Sequence, residues 1–316
     1  TGPWLLKGGP GSGKSTIALY CIKKIMDNAN SELQLDDKPL RILFTTFTNS
    51  LTNASSTLLK LLGRPGGKHI VRVKNVNTLL NESVPGKSIL TPDLQRFLKK
   101  EFTKRSVSDP KFSFSIDDVD FIAREIEWVI CGQGLTALET YLTVDRSGQR
   151  RVLGQNQRRQ VWSIYQEFEK FSKVTGILPV QQALLAVRDP QLASECGSKY
   201  DYVFIDEAQD LPPAVIRFCV HLCNHRSNVF LTADLNQSIY GTGMSWSKVA
   251  KELNFQGKAR ILRRNYRCTR EIWDAITQLA PDTEESDRET LDVDVVYKGS
   301  GGNPYPLLFK YSLISN

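Results

Sequence analysis

No run of 18 apolar residues occurs anywhere in the 316 residues, so no membrane-spanning helix is expected. The amino end, TGPWLLKGG, has no charged stretch ahead of an apolar one, so it does not read as a secretory leader. No internal repeat recurs along the chain. The six cysteines (Cys21, Cys131, Cys196, Cys219, Cys223 and Cys268) are scattered without paired spacing. That argues against a disulfide framework and for a reduced, cytosolic setting, in the cytoplasm or at the nucleoid or nucleus. The stretch CVHLCNH brings Cys219, His221, Cys223 and His225 close in sequence. Read as one buried helix, AVIRFCVHLCNH puts the two cysteines on one face and the two histidines roughly 200° around from them. Four ligands on two faces cannot converge on one ion, so these are expected to be core cysteines and not a zinc site.

What is present is an ordinary globular composition, 41% hydrophobic and 24% charged, with length for about two domains. The formal charge is +7 and the isoelectric point about 9.0, a moderate basic excess that favours polyanionic partners. Short apolar runs that end in glycine or polar residues read as strands: WLLKG, RILFTTF, YDYVFIDEA and NVFLTAD. Helical patterns such as KSTIALYCIKKIM, NSLTNASSTLLKLLG and LPPAVIRFCVHLCN lie between them. Strands alternating with helices imply an α/β fold with a parallel sheet covered on both faces, and continuous hydrophobicity within each strand fits burial on both sides. Residues 84–172 differ, being basic and helical in pattern, and read as an insertion. The expected division is therefore 1–83 and 173–264 for the sheet domain, 84–172 for the helical insertion, and 265–316 for the start of a further domain.

Two motifs carry chemistry. Gly8, Gly13, Lys14 and Ser15 meet G-x-x-x-x-G-K-[ST] after a strand and before a helix. Glycines there turn backbone N–H groups inward around phosphate oxygens, and the helix N-terminus adds its dipole. Gly9, Pro10, Gly11, Ser12, Gly13, Lys14, Ser15 and Thr16 are the expected nucleotide contacts, with Lys14 on the β- and γ-phosphates and the Ser15 hydroxyl on magnesium. The second motif is VFIDEAQDL, where Asp206 ends a strand and can hold magnesium while Glu207 acts as general base on an attacking water.

Taken together with ILFTTFTNSLTNA, TADLNQSIYG and LRRNYRCT in this order, GGPGSGKST and DEAQD resemble the motifs of superfamily 1 helicases of the UvrD/Rep/PcrA type. RSGQRRVLGQNQRRQVW is similar to that family's insertion. The resemblance covers residues 2–275 closely and the rest loosely. It implies a RecA-like P-loop NTPase sheet, a helical insertion domain and the start of a second RecA-like domain. It also implies an ATP-hydrolysing DNA helicase or translocase using ATP and Mg2+, travelling 3′→5′ on single-stranded DNA, with RNA left open as the strand. Such a protein would be a monomer or a partner-associated subunit with no membrane involvement. Position by position, Gln209 resembles the link between the hydrolysis and strand sides, Gln237 the γ-phosphate sensor, Tyr266 the adenine-stacking aromatic, and Arg267 an arginine on the γ-phosphate. Glu207, Lys14, Gln237 and Arg267 are then the catalytic set. Thr46, Phe47, Asn49 and Tyr240 are the implied strand contacts. Arg150, Arg151, Arg158 and Arg159 are the basic residues expected to guide nucleic acid. The chain departs from the family pattern at Thr16, where an arginine is common, at Thr242 and Gly243 after QSIY, and at Asn77, where a histidine is usual. The chain reads as cut at both ends, so that it holds about half a motor, and alone it is expected to hydrolyse ATP poorly. A second reading is a nucleic-acid-gated ATPase switch in a defence or regulatory complex, without unwinding.

Overall fold

The computed structural model describes residues 2–9, 11–31, 39–62, 69–84, 86, 88–144, 146, 151–188, 199–234, 253, 255 and 258–262. Its centre is a six-stranded, all-parallel sheet in the order β3-β2-β4-β5-β1-β6. The strands are β1 (Trp4–Gly8), β2 (Arg41–Thr46), β3 (Ile70–Asn75), β4 (Tyr202–Ile205), β5 (Val229–Ala233) and β6 (Ala259–Leu262). Because every pair is parallel, the C-terminal ends of all six lie along one edge, where open α/β sheets bind ligands.

The period of two within each strand divides the core. Ile42, Phe44 and Phe204 face α1 (Lys14–Ser31) and α2 (Asn49–Leu61), packing on Ala18, Leu19, Ile22, Met26 and Leu59. Leu43, Val203 and Ile205 point the other way, into a larger core shared with the helices of the chain's middle. Both faces are covered, which is why these strands read as unbroken apolar runs. The edge strands β3 and β6 are half-exposed along most of their length, so IVRVKN and ARIL carry polar residues and are not among the expected strands.

The helices are α3 (Val76–Ser83), α4 (Thr91–Ser108), α5 (Val119–Arg124), α6 (Leu138–Thr143), α7 (Gln155–Thr175), α8 (Pro179–Arg188) and α9 (Pro213–His221). The helix α5 continues as a π-helix over Glu125–Cys131. Leu94, Leu98 and Phe102 form the buried stripe of α4, and Val161, Trp162, Tyr165 and Phe168 that of α7, at the three- and four-residue spacing of one helix face. Phe97 and Phe168 meet edge to face at 5.5 Å between ring centres. The helix α7 runs through position 172 without interruption, so the expected boundary there falls inside one helix. A buried ion pair closes this part: Arg146 donates through Nε and Nη2 to both oxygens of Glu125 at 2.7 Å, and the Tyr141 hydroxyl donates to the same carboxylate at 2.8 Å.

Cys219 and Cys223 are both buried, as expected of core cysteines. The helix α9 ends at His221, however, so Cys223 lies beyond it and not one turn along it. The described cysteines Cys21, Cys131, Cys219 and Cys223 are free thiols, and no cluster of metal-binding side chains occurs among the described residues. No described helix is long and apolar enough to cross a membrane.

Candidate nucleotide site and the cavity beside it

Between β1 and α1 the chain turns within five residues. Gly11 and Gly13 take positive φ, 75° and 87°, which side chains with a Cβ rarely adopt. Gly8 is needed for a different reason: a Cβ there would stand 2.6 Å from the Ser12 hydroxyl and 3.0 Å from the Leu262 Cβ. The turn is pinned by Ser12 N–H donating to the Gly9 carbonyl at 3.2 Å and by Ile17 N–H donating to the Gly13 carbonyl at 2.9 Å. Lys14 opens α1 and is only 5% exposed. Its ammonium donates to the Gly8 carbonyl at 2.7 Å and the Gly9 carbonyl at 3.1 Å, and stands 3.8 Å from the Asp234 carboxylate. Thr16 is exposed, and Pro10 lies outside the described residues.

Asp206 follows β4 and is 1% exposed. Burial pushes its carboxyl above the ordinary carboxylate range, against the pull of the hydrogen bond from the Thr232 hydroxyl and of the Ser15 hydroxyl nearby. Asp206 Oδ2 is buried with no hydrogen-bond partner, and so is the Ser12 hydroxyl facing the same turn. A buried carboxylate oxygen without a partner, beside a serine hydroxyl at a helix N-terminus, is the donor set that suits a hard divalent cation next to phosphate. The residues therefore fit the magnesium and nucleotide that the sequence motifs imply.

Glu207 sits in the left-handed region, φ 51° and ψ 49°, the one non-glycine residue with positive φ among those described. That conformation costs on the order of 1 kcal/mol or more and is held in place by its neighbours. The Thr232 hydroxyl accepts from Glu207 N–H at 3.1 Å and donates to Asp206. Gln209 donates to the Glu207 carboxylate at 2.8 Å and accepts from Asp234 N–H at 2.9 Å. One glutamine thus ties the candidate base to the end of β5. Thr232 and Asp234 were not singled out from sequence; the signal available was a polar T-A-D ending on an apolar strand beside DEAQD. Asp210, in the same short turn, is pushed up to about 6 by burial and by the nearby Glu207 and Asp234 carboxylates.

The expected strand contacts separate. Thr46 is wholly buried at the end of β2, its hydroxyl unpartnered. Phe47 is half-buried against the core, and Asn49 is exposed at the start of α2. The Thr48 hydroxyl caps α2 by accepting from Leu51 N–H at 3.2 Å, and Asn75 donates to the Phe47 carbonyl while capping α3. Gln237, Tyr240, Thr242, Gly243, Tyr266 and Arg267 lie outside the described residues, as does Arg150.

Two of the expected nucleic-acid guides make contacts within the protein. Arg151 pairs with Asp118 and lies 5.0 Å from the centre of the Phe121 ring. Arg158 donates to the carbonyls of Tyr141 and Leu142 at 3.0 Å and of Val144 at 3.3 Å, closing the end of α6. The Leu153 carbonyl accepts from its Nε at 3.3 Å as well, so four carbonyls hold the guanidinium and Arg158 braces the fold; Arg159, on the same helix, is exposed.

Beside the nucleotide site a cavity of about 550 Å³ separates the strand ends from the helices, with Phe47, Asn77, Thr91, Gln95, Glu127 and Asp210 among its walls. Burial pushes the Glu127 carboxyl up to about 7, partly offset by a hydrogen bond from the Thr91 hydroxyl at 2.8 Å.

A parallel sheet with a phosphate-binding loop after its β1 strand, and an acidic pair ending the β4 strand two positions away, defines a P-loop nucleoside-triphosphate-binding domain. The family can be named more closely. The chain belongs to the UvrD/REP helicase family, whose N-terminal domain matches residues 1–248. It is 26% identical over 315 residues to the DNA helicase II of Rickettsia typhi, covering 93% of this chain and 44% of that protein. It is 24% identical over 314 residues to a probable DNA helicase II homolog of Rickettsia felis, covering 93% and 44%. With the ATP-dependent DNA helicase PcrA of Staphylococcus epidermidis it shares 23% over 305 residues, covering 90% and 38%. The chain therefore spans less than half the length of these curated relatives.

Proposed function

We propose that the chain is the ATP-binding half of a DNA helicase or translocase, which couples ATP hydrolysis to 3′→5′ movement along single-stranded DNA. The observation that supports this most is the set of Lys14, Asp206, Glu207 and Gln209, linked through Thr232 and Asp234 at the end of the β5 strand, which lies between β1 and β4. On this reading Gly9, Gly11, Ser12 and Gly13 present backbone N–H groups to phosphate, and Lys14 neutralises the β- and γ-phosphates from within the turn. Ser15 and Asp206 would hold Mg2+, which when bound would neutralise charge developing on the phosphate oxygens. Glu207 takes the proton of the attacking water. Gln209 keeps that carboxylate in place and ties it to the end of the β5 strand.

Gln237, Tyr266 and Arg267 would complete the site by the family resemblance, with Arg267 stabilising transition-state charge on cleft closure. On the strand side Phe47 and Tyr240 offer faces on which any base can stack, and Asn49 an exposed polar contact. The helical residues 84–172 act as an insertion in the sheet domain, with residues 265–316 opening the next.

Steady-state hydrolysis tests the reading, in the longest natural protein that carries these residues, with and without single-stranded DNA. Several-fold stimulation by DNA, absent in Glu207→Gln, is the expected result. A rate indifferent to DNA would replace the motor by a switch or move the strand to RNA.

A further inference from the structure

Thr232 is a polar residue where its strand needs none. Along β5 the side chains alternate: Val229, Leu231 and Ala233 join the larger core, while Phe230 and Thr232 face the side of α1. A valine has nearly the shape of a threonine and suits a strand as well, so the fold itself does not call for the hydroxyl. Thr232 is nonetheless 0% exposed, and a hydroxyl so placed is costly unless it is bonded. The register of β4 and β5 sets Ile205 beside Leu231, which brings the next residues, Asp206 and Thr232, together. The hydroxyl is bonded twice there, donating to Asp206 Oδ1 and accepting from Glu207 N–H at 3.1 Å.

These two bonds leave the hydroxyl one orientation. An ionised carboxylate only accepts and a backbone N–H only donates, so the hydrogen points to Asp206 and a lone pair to Glu207. Asp206 is thereby held by one oxygen, while the other, Oδ2, is buried without a partner. A buried carboxylate oxygen in that state is short of a partner, and a hard cation is one that suits it. We propose that Thr232 is a positioning residue for the metal: by fixing Asp206 Oδ1 it leaves Oδ2 to the divalent cation that accompanies the nucleotide, and through the same oxygen it ties the next residue, Glu207, to that ligand. The inference rests on the nucleotide-site reading above and adds to it a residue that acts through Asp206.

A group that hydrogen-bonds a metal ligand fixes the ligand's direction, and its removal weakens metal binding by roughly ten- to a hundredfold. Without the hydroxyl, Asp206 Oδ1 and the Glu207 N–H each lose a bond. The carboxylate is then free to turn about its side-chain bonds, and an arriving metal has to order it. Glu207 loses one of the contacts that hold it at positive φ. The phosphates share the metal, so the nucleotide binds less tightly in its presence and as well as before in its absence. That difference separates positioning from a general loss of stability.

The test is equilibrium binding of a fluorescent, non-hydrolysable ATP analogue to the longest natural protein that carries these residues. It is measured in Mg2+ and in EDTA, for the wild type, Thr232→Val, Thr232→Ala and Thr232→Ser. The ratio of the two dissociation constants gives what the metal adds. Thr232→Val and Thr232→Ala are expected to lower that ratio by about tenfold, with binding in EDTA within about twofold of the wild type. Thr232→Ser keeps the hydroxyl and is expected to hold the wild-type ratio. A threonine that only fills space would rank the variants by volume, with valine nearest the wild type, and would move both constants together. That pattern, or an unchanged ratio in the valine and alanine variants, would overturn the proposal and leave the nucleotide site standing. If the valine variant does not fold, the alanine and serine variants carry the same comparison. A wild type that binds the analogue equally in Mg2+ and EDTA, or not at all, would overturn the metal reading of Asp206 and the proposal with it.

Discussion

Lys14 and Glu207 do separable jobs, and single substitutions distinguish them. The Lys14 ammonium is nearly enclosed by the turn that it stabilises, and it is the cation nearest the place where phosphates would lie. Lys14→Ala is expected to abolish nucleotide binding, read as loss of the fluorescence change of a labelled ATP analogue; binding within twofold of wild type would overturn the site. Glu207→Gln keeps the side-chain volume and the hydrogen bond from Gln209 but cannot take a proton. It should bind ATP like the wild type and lose turnover by a hundredfold or more, the usual range for a lost general base. Parallel loss of binding would make Glu207 a structural residue. Thr232 supports both acids at once, accepting from Glu207 N–H and donating to Asp206. Thr232→Val leaves a buried carboxylate and a buried N–H short of partners, for a cost of about 1–3 kcal/mol, and a lower melting temperature at unchanged fold measures it.

At the scale of elements, legibility followed burial. The strands β1, β2, β4 and β5 are covered on both faces, and their unbroken apolar runs were readable as such. The strands β3 and β6 lie at the sheet edges, where half-exposed residues dilute the run, so nothing in IVRVKN or ARIL announced a strand without its neighbour. The phosphate loop was legible because its chemistry needs residues adjacent in sequence. Thr232 and Asp234 were not, because they meet Asp206 and Gln209 only through the parallel register of β4 and β5, with Ile205 beside Leu231. The π winding of EIEWVIC was hidden as well, since its composition is that of an ordinary buried helix. The basic run on α7 shows the limit of charge as a signal: Arg158 and Arg159 are neighbours in sequence, yet one is held by four backbone carbonyls and the other is exposed. Arg158→Ala strips those carbonyls of a charged donor and is expected to cost about 1–3 kcal/mol, lowering the melting temperature by several degrees with DNA affinity unchanged. Arg159→Ala should do the reverse, leaving stability intact and weakening binding in a salt-dependent way. Equal effects of both on DNA affinity would return Arg158 to the nucleic-acid side.

For the whole molecule, the wall between the sheet and the helices makes stability depend on pH in an unusual direction. Most buried carboxylates stabilise a fold as pH rises, because pairing lowers their pKa. Glu127 is opposite: burial raises it from its ordinary value of 4.5 to about 7, and no cation is among the groups that shift it. Between those values the folded protein binds this proton and the unfolded chain does not, so the unfolding free energy falls as pH rises. The stabilisation is complete below about pH 4.5 and lost through pH 7, with a ceiling on the order of 3 kcal/mol. Glu127→Gln carries no titration and keeps the shape, so its stability should lack this share of the fall and keep the share of Asp210, whose carboxyl is raised to about 6. Urea unfolding at pH 5, 6, 7 and 8 reads the difference directly. The wild type should lose more stability than the variant across the range, with the steepest divergence between pH 5 and 7. Parallel curves would mean that water or a counter-charge reaches the carboxyl in solution, and the cavity wall would then be as open at Glu127 as at the exposed Arg124 beside it.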